Sequence, residues 1–146
     1  MFTDIRFSWR GDATDRELVE LTESSGGIPE AGWWDRIRPH SLGWVVARDR
    51  DSALIGFVNV AWDGGDHAFL IDTRVRPDHR RRGIGTELVR IAAGHAADAG
   101  CEWLEVDFED DLAAFYFDAC GFEPTLAGLI HLPDLIRSGS DPERSA

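Results

Sequence analysis

The sequence predicts an α/β (α+β) domain built on a mixed sheet. Three observations carry this. Stretches with the two-residue alternation of strands give way to one with a helical 3.6-residue period, and alternation then returns. Clusters of Gly, Asp and Ser separate the stretches. A strand ending at Val75, a turn, a helix from Gly85 and a strand at Cys101 form one crossover unit. At 146 residues the chain suits a single domain that buries a real core. No repeat or interdomain linker interrupts it, so the domain is expected over 1–136, with 137–146 as a loose polar tail.

Taken in order, Asp12 is expected to cap a helix from about Ala13 to Glu23, with Leu18, Val19 and Leu21 apolar. "SSGGIPEAG" breaks it. "WWDRIRPH" reads as a short helix or a loop. "GWVVARD" and "ALIGFVNVAW", joined at "DRDS", read as a hairpin. "DGGD", Asp63 to Asp66, is a turn, and His67 to Val75 is a third strand. Leu88, Ile91, Ala92, His95 and Ala99 mark the next helix, which Gly100 stops. In "CEWLEVDF", Leu104, Val106 and Phe108 alternate with Glu105 and Asp107. Asp110 or Asp111 caps a short helix through "LAAFYFDAC", and "AGLIHL" is expected as a final strand.

Composition excludes several functions. No apolar run approaches the ~20 residues a membrane span needs, and the N-terminus lacks the pattern of a secretory signal, so a cytoplasmic protein is expected. Cys101 and Cys120 make neither a disulfide framework nor a zinc site, and no metal is expected. All fifteen basic residues are arginine, which rules out a lysine nucleophile or Schiff base. A pI near 4.7 argues against nucleic acid as a partner. A net charge of −12 favours a cationic partner, or serves solubility alone.

Against that acidic background, "RVRPDHRRRGIGTELVR" holds Arg74, Arg76, Arg80, Arg81, Arg82 and Arg90. Its "HRRRGIGT" falls between a strand and a helix. A helix N-terminus offers unbonded N–H groups and partial positive charge. Glycines let a ligand approach the backbone, and arginines add forked donors. Together they suit a polyphosphate. A P-loop is excluded for want of lysine. A dinucleotide fingerprint is excluded because Leu88 stands where a third glycine belongs.

Here "VRPDHRRRGIGTELV" resembles the acetyl-coenzyme A motif of the GCN5-related N-acetyltransferases (GNAT): Arg80, two residues, Gly83, one residue, Gly85. "CEWLEVDFEDDLAAFYFDACGFEP" is similar to the family's next strand and its helix ending in Gly-Phe, here Gly121-Phe122. The resemblance covers at least Gly43 to Pro124. It implies a single domain with a mostly antiparallel mixed sheet flanked by helices, and acetyl transfer from acetyl-coenzyme A, as co-substrate, to an amine. By resemblance, the amides of Arg81, Arg82, Gly83, Ile84, Gly85 and Thr86 cradle the coenzyme's pyrophosphate, with Arg80 and Arg82 facing its phosphates. The backbone of Thr73 and Val75 bonds to the pantetheine arm, a backbone N–H near Val75 polarises the thioester carbonyl, and Asp110 stands at the mouth of the cleft.

One position departs from the family pattern. The expected tyrosine, four residues before Gly121, is Phe117. The chain's one tyrosine, Tyr116, is its neighbour and points about 100° away on a regular helix. Three outcomes stay open: a distortion brings Tyr116 in, the thiolate leaves without it, or the protein binds coenzyme with little turnover. The general base is expected at Asp72, with Glu105 and Asp107 as rivals. By strict alternation Asp72 faces away from the Val75 side chain unless a bulge re-aims it. His67 and His131 read as structural. Trp33, Trp34, His40 and Trp44 are candidates for an acceptor pocket or for packing. The functions in play are thus an N-acetyltransferase for a small-molecule or protein amine, cationic by the charge argument, and an acyl-coenzyme A sensor. A homodimer is left open.

Overall fold

The centre of the molecule is the meander that the alternating stretches foretell. In the computed structural model, which describes residues 2–138, β1 (Arg6–Trp9), β2 (Ser41–Arg48), β3 (Leu54–Trp62) and β4 (His67–Val75) pair antiparallel in chain order. The fifth strand, β5 (Trp103–Glu105), runs parallel to β4, with His67 opposite Trp103 and Phe69 opposite Glu105. Side-chain carboxylates fold the turns. Asp49 Oδ1 accepts from the N–H groups of Asp51 and Ala53, and Asp63 Oδ1 accepts from Gly65 N–H at 2.7 Å.

Helices cover both faces. The periodic helix is α3 (Ile84–Asp98). Its Ile84, Leu88, Val89, Ala92 and Ala96 pack on Val45, Ala47, Val58 and Val60. On the other face, α1 (Asp15–Ser24) and α2 (Trp33–Ile37) bring Leu18, Leu21 and Trp34 onto Val46 and Phe57. Each Val, Leu, Ile or Phe among them contributes about 1.5–3 kcal/mol on leaving water. With both faces covered, Leu54 to Val60 are all buried, which explains why this strand reads as a continuous apolar run.

Several expectations are corrected. A strand at Arg6–Trp9 precedes α1; four residues with no fully buried member give little periodic signal. Trp9 fixes it in place, stacking on His95 of α3 with ring centres 4.3 Å apart. The cap of α1 is Thr14, not Asp12: Thr14 accepts from Glu17 N–H while Glu17 Oε1 accepts from Thr14 N–H at 3.0 Å. The strand at Cys101–Phe108 shortens to three residues, because β4 bonds to it only through Phe69. The helix over 110–120 is a 3₁₀ turn, Asp110–Leu112, followed by a π-helical turn, Ala114–Ala119. "AGLIHL" forms no strand; it runs irregularly into α4 (Leu132–Ser138), with Leu126, Leu129 and Ile130 exposed. No neighbouring strand offers the ladder it would need. Of the expected polar tail, 139–146 lie outside the described residues. Cys101 and Cys120 are free and half-buried.

Candidate active site

A cleft of about 710 Å³ opens where β4 and β5 part company. The antiparallel register dictates its floor. Gly56 faces Val75, and Arg76 N–H donates to Ile55 O at 2.8 Å. Gly56 and Val75 are therefore a pair without mutual hydrogen bonds, and the N–H and C=O of Val75 point away from β3. Beyond Phe69 no strand among the described residues takes up that edge. The walls are the Ser25–Gly27 loop after α1, Thr73 to Val75, the loop from His79 through Gly83 into α3, and Asp111, Leu112, Phe115 and Tyr116.

The α3 end is built to receive charge. Gly83 adopts φ +81° as the N-cap and contributes no side-chain hydrogen bond. A residue with a Cβ pays strain in that conformation. Among the described residues, no protein acceptor meets the N–H groups of Arg81, Arg82, Gly83, Ile84, Gly85 or Thr86; the first bonded amide is Glu87, to Gly83 O at 3.1 Å. Gly85 lies close under Phe115, where a Cβ would stand 3.1 Å from the ring. Arg80, Arg81 and His79 line the same end. Arg80 Nε donates to Val75 O at 3.4 Å, and His79 Nδ1 pairs with Asp78 at 2.9 Å. That pairing, helped by Arg76, holds the Asp78 carboxyl below the usual range.

Tyr116 enters the same cleft. Cys120 N–H donates to Phe115 O, five residues back, and Phe122 N–H to Tyr116 O, six residues back. This π turn inserts one residue relative to a regular helix and shifts the phase by about 100°. Tyr116 is buried among Phe108, Phe115 and Phe122. Its hydroxyl donates to Thr73 Oγ1 at 3.3 Å. Burial pushes the phenol above its ordinary pKa, more than the Thr73 hydrogen bond lowers it. It stays protonated through neutral and mildly alkaline pH.

The register of β4 shifts opposite Val58, where Asp72 adopts φ +60°. This is a bulge on the strand that floors the cleft. Desolvation lifts the Asp72 carboxyl above its ordinary range, and Arg74 partly opposes the rise.

The structure thus brings Thr73, Val75, Arg80, Arg81, Gly83, Ile84, Gly85, Thr86 and Tyr116 onto one cleft. It does not bring Asp72, Arg82, Asp110 or Phe117 onto the lining. Arg82 pairs with Asp4 at 3.6 Å, Asp110 opens the 3₁₀ turn while its neighbour Asp111 faces the cleft, and the Phe117 ring packs edge-on against Phe108. Glu105 is engaged by His67 at 2.8 Å. The tryptophans lie elsewhere: Trp34 is fully buried, and Trp44 Nε1 donates to Gly11 O. The sequence reading missed Ser25, Gly26 and Gly27 as a wall, because "SSGG" shows only a break in a helix. It also gave no role to Arg74 and His79, which stand within the segment it singled out.

The family model of the acetyltransferase (GNAT) family matches residues 6–122. The chain belongs to this family. It is 33% identical over 104 residues to a mycothiol acetyltransferase of Nocardia farcinica, a match spanning 64% of the chain and 34% of that protein. It is 31% identical over 119 residues to the streptothricin acetyltransferase of Streptomyces lavendulae, spanning 80% of the chain and 62% of that protein. The chain therefore spans about a third of the first relative's length and under two thirds of the second's. Among solved structures, a putative acetyltransferase from Deinococcus radiodurans R1 superposes with a TM-score of 0.75 at 27% identity, covering 90% of the chain and 91% of that protein. No helix among the described residues is long and apolar enough to cross a membrane.

Proposed function

We propose that the protein is an N-acetyltransferase moving an acetyl group from acetyl-coenzyme A to an amine by direct attack in a ternary complex. The observation that carries this is the run of N–H groups from Arg81 to Thr86 without protein acceptors, at the N-terminus of α3 and flanked by Arg80, Arg81 and His79. Such a run suits a diphosphate in size and charge. The open edge at Val75 suits an extended amide-bearing arm. The residues present therefore fit the coenzyme.

When bound, acetyl-coenzyme A supplies a thioester whose C–S bond breaks as a C–N bond forms to the acceptor. The outward N–H of Val75 hydrogen-bonds the thioester carbonyl and stabilises negative charge there. Asp72, off the cleft lining but next to Thr73 and with its carboxyl raised above its ordinary range by burial, takes the proton of the acceptor ammonium through water. Tyr116, held protonated, gives its proton to the departing sulfur, and Thr73 orients that hydroxyl. The Ser25–Gly27 loop closes the acceptor side. The acidic surface draws cationic amines toward the protein.

Thiol release from acetyl-coenzyme A with a panel of amines tests the reading. The expected result is acceptor-dependent release that saturates in both substrates. Tight coenzyme binding with no release from any amine, from about pH 7 to pH 9, would overturn it in favour of a sensor.

A further inference from the structure

Arg74 stands apart from the other cations of the cleft. Arg80 and Arg81 lie at the α3 end, beside the unbonded amides, and their role follows from that place. Arg74 lies on β4 between Thr73 and Val75, at the end where Tyr116 and the bulge meet. It is half-buried and lines the cleft. Its partner across the ladder is Phe57, which belongs to the cluster under α1 and α2, so its side chain emerges on the face bounded by the Ser25–Gly27 loop. Among the described residues no carboxylate lies within ion-pair distance of it. Its one hydrogen bond among the described residues is from Nη1 to the adjacent Thr73 carbonyl at 3.2 Å.

Among the described residues, the other arginines without a carboxylate partner, Arg6, Arg10, Arg38, Arg50, Arg80 and Arg81, are exposed to solvent. The other half-buried arginines, Arg48 and Arg76, both pair with carboxylates. A guanidinium has five N–H donors in a planar fork, and four of Arg74's remain unused. That fork matches the two oxygens of a carboxylate or the oxygens of a phosphate. The diphosphate site proposed above lies with α3, on the other face of the sheet from the Arg74 side chain, and the coenzyme's arm at Val75 is uncharged. On the face that Arg74 occupies, the acceptor is the source of an anionic group.

We infer that the acceptor is a small amine that also carries an oxyanion, a carboxylate or a phosphate, and that Arg74 binds this group while the amine faces the thioester. The inference rests on the proposed acetyl transfer and narrows its acceptor. It also qualifies the argument from net charge. The surface field favours the ammonium group of such a molecule, and Arg74 supplies a local site for its anion. A bidentate charged contact of this kind orients the acceptor as well as holding it.

The test uses matched acceptors: amino acids with a free carboxylate against their carboxamides, and an amino-sugar phosphate against the unphosphorylated sugar. Two readouts are taken on the full chain, kcat/KM from thiol release and acceptor binding by calorimetry with coenzyme A present. Wild type should favour the charged member of at least one pair by about tenfold or more, a preference of the size expected for a charge-assisted contact. The pair that shows it separates carboxylate from phosphate. Arg74→Gln should bring that ratio near one and leave coenzyme affinity unchanged; Arg74→Lys should restore part of it. Equal use and equal binding of both members by wild type would overturn the inference. So would a Gln variant whose coenzyme affinity falls tenfold while the ratio persists, since Arg74 would then belong to the coenzyme. Because acceptor binding is read separately, failure of acetyl transfer itself is distinguishable: charged acceptors would still bind through Arg74 with no thiol released.

Discussion

The two halves of β4 carry the same kind of backbone and do opposite things. From His67 to Phe69 the strand has β3 on one side and β5 on the other, and its ladder is filled on both edges. From Thr73 to Val75 it has β3 alone, and the outer edge opens on the cleft. The first half spends its peptide groups on the fold. The second leaves them for a ligand, and the bulge at Asp72 divides the two. Ala68 and Leu70 are buried on the N-terminal side of the bulge, while Asp72, Thr73 and Arg74 bring polar chemistry to it and beyond. Pairing on both edges builds stability, and pairing on one edge leaves binding capacity.

The largest expected effect lies on the N-terminal side of the bulge. Leu70→Ala should cost about 2–5 kcal/mol of stability, by loss of buried area and an unfilled cavity. Urea unfolding should show this, while the coenzyme affinity of the folded fraction stays at the wild-type value. A fall in affinity to match would mean that the two halves are not separable.

In the open half, Gly83→Val should weaken coenzyme A binding about a hundredfold or more, because a β-branched residue does not adopt φ +81° without moving the amides that follow. The strain should cost only about 1–2 kcal/mol of stability. Calorimetry checks the first and thermal unfolding the second. Unchanged affinity would remove the phosphate from this loop.

Asp72→Asn should lower kcat by about a hundredfold, the scale of a lost general base. It should not lower stability at neutral pH. The folded-state pKa of Asp72 lies above the unfolded one, so the native state loses stability as pH rises through that interval. The amide removes this penalty and also tolerates positive φ. A variant both inactive and unstable would assign Asp72 to the fold alone. Tyr116→Phe should reduce kcat by a smaller factor, about tenfold, because a thiol with a pKa near ~8.5 leaves readily even without an acid. The loss should be greatest with poorly acidic acyl thiols.

The smallest effect returns to the paired half. Glu105 raises the pKa of His67 chiefly through its hydrogen bond. The pair therefore supports the fold at acid pH, and the support fades as pH rises through the raised value. Both side chains are about half exposed, so Glu105→Gln should shift the melting temperature slightly below neutrality, hardly at all above it, and leave turnover alone. A loss of activity would restore Glu105 as a rival base.

The sequence by itself determined the order of elements from α1 to β5, because buried strands and an amphipathic helix impose their own periods. It also marked out the loop proposed to bind the diphosphate, because that chemistry is local: glycines, arginines and a helix start within a few residues of one another. Only the tertiary structure decided the rest. The phase of Tyr116 depends on one extra residue in the turn from Ala114 to Ala119, and that turn sits among Phe108, Phe115 and Phe122. The strand expected at "AGLIHL" is absent because alternation gives a segment the capacity to pair but does not supply the neighbour. The isolation of Arg74 is equally a matter of three dimensions. A chain with more acid than base gives no hint of which guanidinium will be half-buried without a carboxylate, since that depends on which side chains folding brings within reach.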